Sequence, residues 1–408
     1  MMRQSMAREI LARCCGSSSI EVGDVVGADI DLVYITDGSA TSVLDRLECL
    51  EVQGVFDPNR VALVIDHYVP SPSASVSRVH QRMRRFAAQT GCLLFDAGEG
   101  ICHHVLGERG LVRPGSLVVG ADSHSVTYGA FGALATGIGS TDAAAAIAGG
   151  RLWFRVPRSV HLLLRGDLGW GVTVKDVALH LNSVFSTESL EYSSVEISTT
   201  AHFSVADMAV ITNTAAEWGA KAAIWVNPVA GSELGCQEYD LEVTVPHVEP
   251  LVARPNSPTD IAPLRTMPHT RVDLCFVGTC SGGSILDLRQ VAMILQKHRI
   301  SPDVQFLLAP ASRHVYSQAM AEGLVDIFLD RGVVVIPPGC GPCCGTANGI
   351  PGDGQVVVST ANRNYRGRMG NPNSSIFLAS PLTVAASAVT GELTDARSLL
   401  GRGRGEHR

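Results

Sequence analysis

The sequence predicts an α/β protein built on mostly parallel sheets covered by helices on both faces. Three observations carry that expectation. Short runs rich in Val, Ile and Leu recur along the chain, each is followed by a loop and then an amphipathic segment, and the residues capable of chemistry fall on the loops. Repeated strand, loop and helix units favour parallel sheets, whose active groups sit at the carboxyl ends of strands.

Taken in order, the run 61–65 is expected as a strand and 73–88 as the helix after it. The strand 116–121 precedes a helix at 140–148, the strand 272–277 a helix at 285–295, and the strand 304–308 a helix at 312–322. Composition loosens at 252–268, where VARPNSPTDIAPLRTMP concentrates proline and polar residues, and this reads as a connection between domains. A weaker break near Pro157 completes a division into domains 1–157, 158–262 and 263–408. The final GRGRGEHR reads as a solvated tail.

Bulk properties narrow the function. A chain of 408 residues, 46% hydrophobic and 17% charged, is too long for one core and too apolar to be disordered. Its net charge of -7 gives no basic field for nucleic acid or anionic membranes, so small molecules or proteins are the expected partners. No apolar stretch reaches the roughly 20 residues that cross a bilayer, and the opening residues lack a secretory apolar region. The expected location is cytoplasmic.

Eleven cysteines are present, and Cys92, Cys102 and Cys275 lie in apolar runs, where a thiol behaves as a small hydrophobe. The dense group is different. Cys280 follows an apolar strand in FVGTCSGGSILDL and precedes a helix, a setting that stabilises thiolate. Cys340 and Cys343 lie in VVVIPPGCGPCCG, where Gly339, Gly341 and Pro342 force a tight turn. A C-x-x-C pair alone fits a redox couple, half of a zinc site or a cluster. With Cys280, three thiolates would leave one iron of a four-iron cluster open for Lewis-acid work. Cys344, next to Cys343, is expected to point elsewhere and be structural.

Acids and histidines gather at other strand ends. Asp66 and His67 close VALVID, Asp122, Ser123 and His124 close SLVVGA, and His103 lies in GEGICHH. Paired carboxylate and imidazole groups fix tautomer and proton affinity, which suits a site that removes water from a polyacid. Asn213 and Glu217 stand four apart and share a face if their segment is helical. In STANRNYRGRMG, Asn362, Arg363, Arg366 and Arg368 crowd a glycine-rich loop suited to carboxylates.

Together these blocks resemble the aconitase superfamily, in particular the large subunits of its isopropylmalate isomerase and homoaconitase branch. MAREILARCCGSSSIEVGDVV, VVGADSHSVTYGAFGALATGIGSTDAA, PDVQFLLAPASRHVY, PPGCGPCCG and STANRNYRGRMGNPNSSIFLASPLTVAASAV follow the family pattern in order, nearly from end to end. The resemblance implies three α/β/α domains, with the swivelling fourth domain of single-chain aconitases absent and supplied by a separate small subunit. It implies a [4Fe-4S] cluster on Cys280, Cys340 and Cys343, and the dehydration and rehydration of a 2-hydroxy di- or tricarboxylic acid. It further implies pairs of Asp122 with His103, Glu217 with His124 and Asp66 with His67. Ser123 and Asn213 would orient substrate, and Asn362, Arg363 and Arg368 would bind its carboxylate.

Two departures bear on this. The family usually has Cys-Thr-Asn where this chain has Cys280, Ser281 and Gly282, so an amide near the cluster is lost. Thr36 stands, beside Asp37, where histidine or glutamine is common. The competing readings are a cluster-dependent RNA-binding regulator, disfavoured by the acidic balance, and a zinc or dithiol redox protein using Cys340 and Cys343.

Overall fold

The computed structural model describes residues 5–52, 54–185, 190–226, 239–346 and 348–401. The chain divides into two compact units, Met1–Asp167 with Phe185–Thr244, and Leu168–Val184 with Val245–Arg408. From residue 402 onward the expected tail lies outside the described residues.

The first unit carries β1 (Val25–Asp29), β2 (Leu32–Thr36), β3 (Val61–Val64), β4 (Leu93–Phe95), β5 (Leu117–Gly120), β6 (Leu134–Gly137), β7 (Arg151–Arg155), β8 (Ser159–Arg165), β9 (Ser194–Thr199), β10 (Ala222–Trp225) and β11 (Leu241–Thr244). One parallel sheet runs in the order β4-β3-β2-β5-β6 and a second in the order β10-β9-β8-β11, while β1 and β7 pair antiparallel. Every residue of β2 and β3 is buried, as befits strands covered on both faces. Ile35, Leu63 and Val119 share a core with Val43 and Leu47 of the helix Asp37–Cys49 and Ala143 and Ile147 of the helix Ser140–Gly149. The helix Ala74–Thr90 starts where Ser73 Oγ accepts the Val76 N–H at 3.3 Å and stops at Gly91, whose φ is 74°.

The expected succession of strand 116–121 and helix 140–148 contains more than the sequence pattern suggests. A 3₁₀ segment, Ser123–Phe131, and β6 stand between them. Four residues near glycines are too few for a period to show.

The second unit carries β12 (Leu251–Ala253), β13 (Ile261–Pro263), β14 (Leu274–Val277), β15 (Gln305–Leu308), β16 (Val334–Val335), β17 (Val356–Ser359) and β18 (Ser375–Ala379). They form one sheet in the order β13-β12-β18-β17-β14-β15-β16. The five strands β14 to β18 are parallel, and β12 runs antiparallel to β13 and β18. Val277, Leu308 and Val358 pack with Leu288, Val291 and Leu295 of the helix Ile285–Leu295. The other face, through Phe276, Leu307 and Val357, packs with Leu179 of the helix Val174–Phe185. Residues 252–268, expected as a connection, supply most of β12 and all of β13 instead. Proline is tolerated there because β13 is the edge strand. No helix among the described residues is long and apolar enough to cross a membrane.

Candidate active site

In the first unit, the carboxyl ends of three neighbouring strands deliver acids. Asp37 follows β2, Asp66 follows β3 by two residues, and Asp122 follows β5 by two. Asp66 Oδ1 lies 2.7 Å from His67 Nδ1, and its other oxygen accepts the Cys102 N–H at 2.8 Å. Asp122 stands between two imidazoles, with Oδ2 3.4 Å from His67 Nε2 and Oδ1 3.3 Å from His103 Nε2. It also accepts the His124 N–H at 2.7 Å, which starts the 3₁₀ segment. His124 Nε2 in turn lies 3.5 Å from Glu217 Oε1, and Ser123 Oγ lies 3.4 Å from His124 Nδ1. Asp122 is therefore the hub of a branched network, meeting His67, His103 and, at 4.0 Å, His124, which in turn meets Glu217.

The charges in that network are set by their surroundings. Burial pushes the Asp122 carboxyl up, but His103 and then His67 outweigh it and hold it well below the usual carboxylate range. Burial pulls His103 down, yet Cys102, Tyr34 and Asp122 together raise it well above the ordinary imidazole value. An ionised Asp122 beside a protonated His103 is the state these surroundings favour.

Asn213 and the side chain of Glu217 are buried, but not on one helix. The α-helix Val205–Thr214 ends before Glu217, which lies in the 3₁₀ turn Ala215–Trp218. Asn213 Nδ2 donates to Thr127 Oγ1 at 2.7 Å, whereas Glu217 meets His124.

Asp37 is the acid that the motif reading left out of the site. It is 2% exposed and accepts the backbone N–H groups of Asp66, His67 and Tyr68 at 3.2, 2.9 and 3.0 Å. Its Oδ2 also lies 3.0 Å from His80 Nε2. Burial raises its carboxyl, but His80, His67 and the N–H groups together bring it below the ordinary value. Its position at a strand end, directly before the helix Asp37–Cys49, was the available signal. Thr36 is buried at that helix start, where its N–H donates to Ser39 Oγ at 3.2 Å.

In the second unit, Cys280 lies in the turn between β14 and the helix Ile285–Leu295, which Ser284 and Asp287 cap reciprocally. Cys340 caps the 3₁₀ turn Gly341–Cys344 that follows β16 and Cys343 lies within it, with the Cys343 N–H donating to the Cys340 carbonyl at 3.3 Å. All three cysteines are buried. The loop after β17 reaches both turns, since Asn362 Nδ2 donates to Cys280 Sγ at 3.1 Å and Arg368 Nη2 to Cys343 Sγ at 3.7 Å. Arg363 is half-buried in that loop, and the exposed Arg366 donates to the Pro372 carbonyl at 3.1 Å.

Cys344 does not point away from this group. Its sulfur lies within 4.8 Å of the Cys340 sulfur, and its hydrogen bond with Cys343, with burial, pushes that thiol well up against the pull of Arg368.

The loss of an amide at residues 281 and 282 also has a steric reason. A Cβ on Gly282 would lie 2.2 Å from Thr360 Oγ1, so no larger residue fits. Thr360 uses that space to bond both the N–H and the carbonyl of Gly278, each at 3.0 Å.

Comparison with known proteins gives the family. The model of the aconitase family (aconitate hydratase) matches residues 26–228 and 237–391. The chain belongs to the aconitase family. It is 39% identical to the 3-isopropylmalate dehydratase large subunit 1 of Methanopyrus kandleri, over 98% of this chain and 100% of that protein. It is 38% identical to the homoaconitase large subunit of Thermus thermophilus, over 98% of each. The crystal structure of the holo-form of Thermococcus kodakaraensis aconitase X shares the fold, with a TM-score of 0.54 at 12% identity over 91% of this chain and 97% of that one.

Family membership makes this chain a hydro-lyase, and the family implies an iron–sulfur cluster. The residues present fit one. Three buried sulfurs stand on two turns, and an amide N–H donates to one of them and a guanidinium to another, contacts of the kind that steady sulfurs bound to iron.

Proposed function

We propose that this chain is the large subunit of a [4Fe-4S] hydro-lyase that isomerises a 2-hydroxy di- or tricarboxylic acid, with 3-isopropylmalate as substrate. The observation that carries the reading is the near-complete match, at 39%, 39% and 37% identity, to three proteins named as 3-isopropylmalate dehydratase large subunits. Homoaconitase chemistry is the second reading, favoured by relatives of that name at 38% and 36%. A small subunit carrying the swivelling domain is the proposed partner.

Cys280, Cys340 and Cys343 would hold the cluster. When bound, it supplies Lewis acidity toward a hydroxyl and a neighbouring carboxylate of the substrate. The protein side of the reaction is proton handling and orientation. His103, kept protonated by Asp122, gives a proton to the departing hydroxyl. The Glu217–His124 pair provides a second relay, and Asp66 holds His67 Nδ1 so that Nε2 faces Asp122. Ser123 and Asn213 orient polar groups of the acid, while Asn362, Arg363 and Arg368 take a second carboxylate.

Anaerobic reconstitution with iron and sulfide, followed by absorbance and EPR spectra, tests the cluster. Turnover of 3-isopropylmalate and homocitrate-type acids with a small subunit present tests the substrate. A reconstituted pair that binds no cluster refutes the reading, and turnover of a homocitrate-type acid alone promotes the second.

A further inference from the structure

Lys175 lies in the helix Val174–Phe185 and is 3% exposed, a costly place for an ammonium group. Its Nζ donates to Ser281 Oγ at 2.9 Å, the Ala361 carbonyl at 3.1 Å and Asn362 Oδ1 at 3.5 Å. These are three acceptors for an ammonium's three donors. The Ser281 hydroxyl also bonds Asn362 Oδ1. With its oxygen held from that side, the Asn362 amide turns its NH₂ toward Cys280 Sγ, 3.1 Å away.

We propose that Lys175 is a positioning residue for the cluster ligand Cys280, acting through Asn362 and Ser281. This rests on the reading that Cys280 holds the cluster. The lysine has two separable effects. Its hydrogen bonds fix the orientation of the amide that supports the ligand sulfur. Its buried positive charge favours the more reduced, more negative state of the cluster, because net charge and hydrogen bonding at the sulfurs set the reduction potential. Lys175 and Asn362 together supply the support that an asparagine at residue 282 cannot give here, since Thr360 occupies its space.

The test reconstitutes the full chain and compares it with Lys175→Met, Lys175→Gln and Ser281→Ala. Iron release to a chelator under argon and an EPR-monitored redox titration are the readouts, with near-ultraviolet circular dichroism to check folding. Lys175→Met is expected to lose iron on the order of 10- to 100-fold faster and to shift the midpoint potential downward. Lys175→Gln keeps a donor without the charge, so the potential falls while iron loss accelerates less. Ser281→Ala keeps the charge and loosens the amide, so iron loss accelerates and the potential falls less than in Lys175→Met.

Folded lysine variants with wild-type iron release and potential overturn the proposal. If neither lysine variant folds, Ser281→Ala decides, and wild-type iron retention in it overturns the proposal. A wild-type chain that takes up no cluster refutes the cluster reading and this inference with it, whereas a loaded wild type with unchanged variants refutes this inference alone.

Discussion

Asp122 shows how much a single side chain does here, because its two oxygens face two different imidazoles. Asp122→Asn removes one of the influences that raise His103, so His103 gives up its proton at lower pH. The alkaline limb of the kcat profile is expected to move toward acid, and kcat to fall by about 10²- to 10⁴-fold, the usual worth of a positioned proton donor. A pH–rate series on the complete enzyme checks both. Asp37 invites a second test. Asp37→Ala strips the acceptor from three consecutive N–H groups and from His80, at a cost of about 3–5 kcal/mol by urea unfolding. The wild-type carboxylate is held below its ordinary value, so its contribution is present above about pH 4 and fades as pH falls through the folded value. The difference between wild type and variant therefore shrinks on acidification. Asp66, His67, Asp122 and His124 were legible in the sequence because each closes an apolar run, a position that a one-dimensional pattern marks. Lys175 carries no such mark. A single lysine in the first turn of an amphipathic helix reads as solvated, and only the packing of that helix on the sheet shows its ammonium buried.

At the scale of elements, the strands at 61–65, 272–277 and 304–308 and their helices could be read directly, because long apolar runs with capping serines leave little choice. Short elements could not. β6 and the hairpin of β12 and β13 hide in glycine- or proline-rich stretches, and β18, the other partner of β12, is remote in sequence. The substitution at residue 282 also becomes intelligible only when loops from β14 and β17 are brought together. Gly282→Asn is expected to destabilise by about 1–3 kcal/mol through overpacking, and Thr360→Ala in the same chain to recover part of it. A double-mutant cycle by thermal unfolding would show that coupling, and strictly additive effects would contradict it. The helix Val174–Phe185 is joined to β12 by Asp176, which accepts the Leu251 N–H at 3.0 Å and the Thr173 N–H at 2.9 Å. Burial pushes this carboxyl up to about 6. The folded state therefore keeps a proton that the unfolded chain releases near pH 4, and stability drains away as pH rises from about 4 to 6. Relative to wild type, Asp176→Asn is expected to gain about 2 kcal/mol between pH 4.5 and pH 7.5, read from urea midpoints at the two values.

On the scale of the whole molecule, the proposed division of labour between subunits makes a separation that few single-chain enzymes allow. The proposed ligands Cys280, Cys340 and Cys343 and the proposed relay from His67 to Glu217 all belong to this chain, while the proposal leaves a proton acceptor and a carboxylate anchor to the small subunit. Binding the cluster and turning over substrate are then independent measurements. The chain alone, reconstituted anaerobically, is expected to show the absorbance and EPR signal of a cluster with little turnover. Titrating in a small subunit should raise kcat steeply until the two are equimolar, because a proton acceptor and a carboxylate anchor act in the transition state and not in cluster retention. Iron content should stay level through the titration. Full activity without the second protein would mean that this chain contains its own base, and a cluster that forms only after the small subunit is added would move part of the metal site to the partner.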